Sequence, residues 1–109
     1  MAEIFDITKK NMPWIDKGQL HQIIVEIGDI PNADIQYKEG YLDADGNFIS
    51  CGVNKLHVVD REEEKDEEGN ITQEASSDFS EFLEVLANTQ SPDLLEGAIK
   101  DFLVNKLKG

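Results

Sequence analysis

The same five-residue turn pattern occurs twice in this chain, at Asp43–Asn47 and at Asp66–Asn70. In each copy the leading Asp can accept hydrogen bonds from the backbone amides two and three residues further on. The Gly at the fourth position can adopt the positive φ that redirects the chain into a return strand. Such a turn is a three-residue hairpin loop with a Gly bulge. The sequence therefore predicts two β-hairpins, around which the rest of the chain is organised.

The first hairpin has strands that can pack against a core. If its loop closes as described, Leu42 faces Phe48 and Tyr41 faces Ile49. Apolar side chains then meet across the strand pair, as cross-strand packing requires.

The second hairpin has almost nothing to bury. The expected pairs are Lys65 with Ile71, Glu64 with Thr72, Glu63 with Gln73, and Glu62 with Glu74. Residues 60–68 carry seven acids and two bases, and a two-stranded ribbon without an apolar face is marginal alone. We predict that residues 60–75, here called the acidic hairpin, stand off the body and order when a partner binds. A disordered acidic loop is the alternative interpretation.

Further strands are predicted on both sides of the first hairpin. Leu20–Ile27 is rich in β-branched residues, and strict alternation places Leu20 and Ile23 on opposite faces of it. Gly40 interrupts the strand before the first hairpin and suggests a bulge. The remaining strand candidates are Glu3–Thr8, Ile35–Leu42, Phe48–Val53 and Leu56–Val59.

Two amphipathic helices are predicted at the end of the chain, Asp78–Ala87 and Pro92–Lys108. Asp78 and Glu81 fit a capping pattern for the first helix, and Ser91 precedes a Pro at the first position of the second. Their apolar stripes are Phe79, Phe82, Leu83 and Leu86, and then Leu95, Ala98, Ile99, Phe102 and Leu103. We expect one α+β domain over residues 1–109, a small antiparallel sheet or partly closed barrel built on hairpins, with these helices over one face.

Composition excludes several classes of function. Ten Lys and Arg against 23 Asp and Glu give a net charge of −13, which argues against binding nucleic acid directly or an anionic membrane. No apolar stretch approaches the length of about 20 residues that spans a bilayer. The start of the chain, Met1-Ala2-Glu3, lacks the pattern of a signal peptide, so we expect synthesis in the cytoplasm.

No residue pattern indicates catalysis or a cofactor. Cys51 is the single cysteine, and nothing in the sequence brings it to His21 or His57 with an orienting acid. The acids of the first turn alternate as calcium ligands do, but the Gly and Glu that a calcium loop needs further on are missing. We expect no cofactor, no metal and no enzymatic activity.

The loop Lys9–Gly18 carries Trp14 and Ile15, which either plug the edge of the core or anchor a partner. With the acidic hairpin it supplies the candidate partner contacts, which are Trp14, Ile15, Arg61, Glu62, Glu64, Asp66, Glu68 and Ile71.

The chain resembles small bacteriophage and prophage virion proteins of the head–tail or tail region. The likeness lies in the strand Leu20–Ile27, the hairpin Tyr41–Phe48, the charged ribbon ending in Asn70–Thr72, and the two closing helices. The resemblance implies an assembly protein whose hairpins grip copies of itself and neighbouring subunits, made in the bacterial cytoplasm and incorporated into a virion. It assigns no site residues.

Two other classes of function stay open. One is an acidic inhibitor that mimics DNA and blocks a nucleic-acid-binding protein, which requires acids spread over one face. The other is a small enzyme or metal-binding module.

Overall fold

The computed structural model describes residues 3–108, so the expectation concerning Met1 and Ala2 lies outside it. Within that range the chain forms a curled five-stranded antiparallel sheet, a separate two-stranded ribbon and two C-terminal helices. The strands are β1 (Ile4–Asp6), β2 (Lys17–Glu26), β3 (Asn32–Leu42), β4 (Phe48–Arg61), β5 (Glu64–Lys65), β6 (Ile71–Gln73) and β7 (Ser76–Ser77). The helices are α1 (Asp78–Asn88) and α2 (Pro92–Lys108). The predicted α+β class is confirmed.

The sheet order is β1-β2-β3-β4-β7, which puts β3 at its centre. Side chains of β3 alternate, and Ala33, Ile35 and Tyr37 are buried on the inner face, which both helices cover. Fully buried Phe82 of α1 and Leu103 of α2 complete the core. Full burial of a side chain of this size is worth about 1.5–3 kcal/mol, so these two residues, with the buried Phe79, Ile99 and Phe102, hold the helices on the sheet.

A bulge at His21 corrects the predicted faces of β2. Leu20 pairs with Tyr37, but the next pair is Gln22 with Gln36, so His21 is an extra residue. Since each added residue reverses the alternation, Leu20 lies on the inner face together with Ile23, not opposite it.

Two glycines lie inside strands because a neighbour leaves no room for a side chain. A Cβ on Gly40 would lie 1.8 Å from the carbonyl oxygen of Ile49, and the strand register shifts there as predicted. A Cβ on Gly18 would lie 2.5 Å from the ring of Phe5, its cross-strand partner. Gly18 thus belongs to a strand. The predicted loop Lys9–Gly18 ends before Lys17, where β2 begins.

The first helix follows its prediction in length but not in every contact. Phe79 and Phe82 are buried, whereas Leu83 is 47% exposed. Leu86 packs against the core as predicted, and Val85 does so in place of Leu83, which rotates the buried stripe by part of a turn.

The N-terminus of α1 is capped from a distant strand. Ser77 forms no side-chain capping bond. Instead the carboxylate of Asp60, at the end of β4, accepts hydrogen bonds from the backbone N–H of Ser80 at 3.0 Å and from its hydroxyl. The predicted local capping pair is thus replaced by a contact that ties α1 to the sheet.

Candidate assembly surfaces

Both predicted turns are formed. In the second, one carboxylate oxygen of Asp66 accepts hydrogen bonds from the amides of Glu68 at 3.0 Å and Asn70 at 2.9 Å, and Gly69 has a φ of +87°. The amides bound are thus two and four residues on, not two and three. These bonds, that from Asn70 most of all, hold the pKa of the Asp66 carboxyl below its ordinary value. The turn at Asp43–Asn47 has the same bonding.

The acidic hairpin projects from the body. Its strands β5 and β6 form their own two-stranded sheet, and every residue from 61 to 72 is exposed. At its base, Asp60 pairs with Ser77 and Arg61 with Ser76, which joins β4 to β7. This short strand pair fixes where the acidic hairpin leaves the body while leaving its side chains free to contact another molecule.

A bulge changes the predicted register beyond the turn. Lys65 pairs with Ile71 as expected, but Glu64 pairs with Gln73, so the predicted partner Thr72 is wrong. The hydroxyl of Thr72 donates to the carbonyl of Glu64 at 3.3 Å. The side-chain amide of Gln73 donates to the carbonyl of Glu62 at 2.8 Å. Gln73 is thus paired with Glu64 and not with Glu63, and Glu62 and Glu74 lie outside the paired strands.

The two apolar residues of the turn before β2, Trp14 and Ile15, differ in exposure. Ile15 is 5% exposed and its N–H donates to the carbonyl of Met12 at 3.0 Å, so it is buried, although it does not belong to the main core cluster. Trp14 is 58% exposed and lies edge-on against Tyr41, with ring centroids 6.0 Å apart. Of the two candidate contact residues, only Trp14 is therefore exposed enough to contact a partner, whereas Ile15 is buried.

An open sheet edge runs along β4 from Phe48 to Val59 and is here called the β4 edge. β7 pairs only with the last two residues of β4, and among residues 3–108 no other strand lies along this side. Residues 49–55 are exposed, and Cys51 is an extra residue where the register with β3 shifts. The amide of Lys55 donates to the side chain of Asn54 at 2.8 Å instead of to a strand.

The β4 edge was not anticipated from the sequence, although a signal for it was present. From Gly46 to Val59 the chain contains no Asp or Glu, the longest such stretch in this acidic protein. A row of unpaired backbone groups on an exposed strand is a template for a strand from another chain. A second, shorter open edge lies at Ile23–Glu26, since β1 pairs with β2 only from Lys17 to Gln19 in the part of the chain described.

The residues considered for chemistry do not assemble into a reactive site. Cys51 is exposed, and His57 lies on the outer face of the sheet with its Nδ1 2.7 Å from the carboxylate of Asp34. That carboxylate also lies 3.7 Å from Lys55, so it forms a small surface ion cluster. Across residues 3–108 no three His, Cys, Asp or Glu side chains are placed to hold a metal ion.

A cleft of about 800 Å³ lies between the β1–β2 loop, the inner face of β3 and the end of α2. Its buried carboxylate, Glu39, forms an ion pair with Lys9 at 3.0 Å. Burial and, to a lesser extent, the charge of Glu39 raise the pKa of Tyr37 beside it. The buried acid of this cleft is thus paired with a lysine of the β1–β2 loop.

Comparison with known proteins gives no relative: no family model, no curated protein and no solved structure matches this chain. Among the described residues, neither helix is long and apolar enough to cross a membrane.

Proposed function

We propose that this chain is a non-enzymatic structural subunit of a bacteriophage or prophage virion, in the head–tail or tail region, that acts in repeated copies through protein–protein contacts. The observation that carries the proposal is the acidic hairpin, a formed two-stranded ribbon with exposed side chains and a fixed base. A projection of this kind buries little in its own subunit, so its surface is available to a neighbour.

The contact residues follow from exposure. Trp14 presents an aromatic surface beside Tyr41, and Ile71 is 54% exposed in the middle of an otherwise polar ribbon. The polar contacts expected from the acidic hairpin are Arg61, Glu62, Glu64, Asp66 and Glu68. Aromatic anchors supply binding energy, and charged rims supply orientation and choice of partner.

Binding is expected to order the acidic hairpin. A two-stranded ribbon is marginally stable in water, and within this one Lys65 reaches Glu63 at 3.5 Å, which leaves a large excess of acids. A neighbour can stabilise it by pairing with its strands or by meeting its carboxylates with cations. The conformational entropy lost on ordering is limited to a short segment, because β7 already holds the base of the acidic hairpin.

The distribution of charge favours assembly over the competing function, an acidic inhibitor that mimics DNA. A mimic needs carboxylates across a broad face at phosphate-like spacing. Here five of the 13 net negative charges lie within residues 60–68. A mimic would also lose affinity for its target steeply as salt rises, as nucleic acid does.

Hydrogen exchange before and after assembly tests the proposal. Mass in solution is first measured for the chain alone and with the products of neighbouring genes, to identify the assembled state. Amides of residues 62–75 should exchange rapidly in the isolated subunit and slowly in the assembly, while the central strand β3 is protected in both. Equal exchange of the acidic hairpin in the two states would contradict a role in assembly.

A further inference from the structure

We propose that the β4 edge is the acceptor for the acidic hairpin of a second copy of this chain. The inference rests on the proposed function and names the partner surface for the same contact. It would join subunits head to tail, with each copy donating its hairpin and receiving another.

Charge is the first reason. Two copies that each carry a net charge of −13 repel, so a stable contact between them has to bring the acids of one against an acid-poor surface of the other. The β4 edge lies in the longest acid-free stretch of the chain and carries Lys55 and His57, which both lie against Asp34 of β3, so the surface is acid-poor and not acid-free. On the same face of the sheet Lys38 lies opposite Val53, which adds a cation next to the edge.

Hydrogen-bonding capacity is the second reason. Past the extra residue Cys51, β4 continues in regular register from Gly52 to Val59. This run is longer than either strand of the acidic hairpin, so it can accept one of them along its whole length. The hydrogen bond that the Lys55 amide donates to the side chain of Asn54 would be exchanged for a bond to the added strand.

The base of the acidic hairpin excludes docking within one subunit. Asp60 and Arg61 of β4 already pair with β7, and the acidic hairpin lies beyond that pairing. To reach the β4 edge of its own chain it would have to reverse direction across β7. A contact between two different surfaces of identical copies closes into a ring or extends into a filament, depending on the rotation between neighbours.

One matched pair of variants tests the acceptor surface. Val53→Glu places an acid on the β4 edge, and Leu94→Glu adds the same charge at a similarly exposed position on α2. We expect Val53→Glu to abolish the high-mass species in analytical ultracentrifugation and Leu94→Glu to retain it, with both variants keeping the wild-type melting temperature. Assembly of Val53→Glu at wild-type level would overturn the proposal and leave an assembly function standing.

The single native cysteine provides a second, independent measurement. A photo-crosslinker attached to Cys51, in a mixture of isotopically light and heavy chains, should join this residue to residues 62–75 of the other copy. Crosslinks to Ile23–Glu26, or to a different protein in an assembly that still forms, would overturn the β4 edge as the acceptor. A chain that stays monomeric alone and with neighbouring gene products would overturn both this inference and the proposed function.

Discussion

At the scale of single residues, Asp60 connects three elements of the fold, which are β4, β7 and α1. It is the last residue but one of β4, its backbone pairs with Ser77 at the base of the acidic hairpin, and its carboxylate accepts two hydrogen bonds from Ser80 at the start of α1. The bond from the Ser80 hydroxyl, and then that from its amide, holds the pKa of Asp60 below its ordinary value. The ionised form is therefore the one that the folded chain prefers.

Replacing this carboxylate gives a pH-dependent loss of stability. Because the folded pKa of Asp60 is lowered, its contribution is present above the unfolded value near 3.8 and is lost as pH falls through the folded one. We expect Asp60→Asn to unfold at lower urea than wild type at neutral pH, and the difference to shrink once pH drops below that range. Asp45→Asn, in the exposed first turn, is the control and should show no such pH-dependent difference. A gap between Asp60→Asn and wild type that persists in acid would contradict the role of the charge.

At the scale of elements, the two helices are joined at one end by Lys106. Its ammonium group lies 2.7 Å from Glu81 and 2.9 Å from Asp78, both in the first turn of α1, and 5.5 Å from the ring centre of Phe102. The bonds to Glu81 and then to Asp78 raise the pKa of Lys106. One cation thus offsets the acids at the start of α1 and fixes the approach of α2.

Removing that cation should loosen the helix pair. We expect Lys106→Gln to lower the free energy of unfolding by about 0.2–1 kcal/mol at neutral pH, the usual range for an exposed ion pair. Since the folded pKa is raised, the difference should disappear at alkaline pH above both the unfolded and the folded value. Lys108→Gln removes a charge from the same last turn and is the matched control. An equal loss in both variants would show that the helix dipole, and not the bridge, is responsible.

The elements also show how far local sequence determines this fold. Turn residues act within five positions, so the turns at Asp43 and Asp66 and the pair Lys65–Ile71 were predictable. Bulges depend on what lies across the strand. The change of face of Leu20 caused by the bulge at His21, and the register shift at Glu64, were therefore not predictable.

Long-range contacts account for the other differences. The cap from Asp60 joins residues far apart in sequence, and no local pattern marks it. The β4 edge needs the strand order before it can be recognised as open. Helical spacing alone placed Leu83 in the buried stripe, because it could not indicate how α1 is rotated on the sheet.

At the scale of the whole molecule, the body and the acidic hairpin are separable. The core combines inner-face residues of the sheet with both helices, and no residue of the acidic hairpin belongs to it within the described chain. The packing that stabilises the fold therefore lies in the body, whereas residues 62–75 are available for the contacts proposed above.

Shortening the acidic hairpin should separate folding from assembly. We expect replacement of residues 62–75 by a two-residue Asn-Gly turn between Arg61 and Ser76 to keep the melting temperature close to wild type, because the replaced part contributes no core residue. The same variant should remain monomeric under conditions in which the wild type assembles. Circular dichroism and mass in solution measure the two properties. A variant that unfolds, or one that assembles normally, would contradict the assignment of folding to the body and of assembly to the acidic hairpin.

The pairing of Asp60 and Arg61 with β7 has a consequence for how this protein can change over generations. Since the segment that it closes contributes no core residue, substitutions in that segment are constrained by the proposed partner surface and not by packing. Specificity can then diverge rapidly on an unchanging scaffold. For the same reason, a foreign peptide grafted between Arg61 and Ser76 should leave the fold of the body intact while removing the proposed contact.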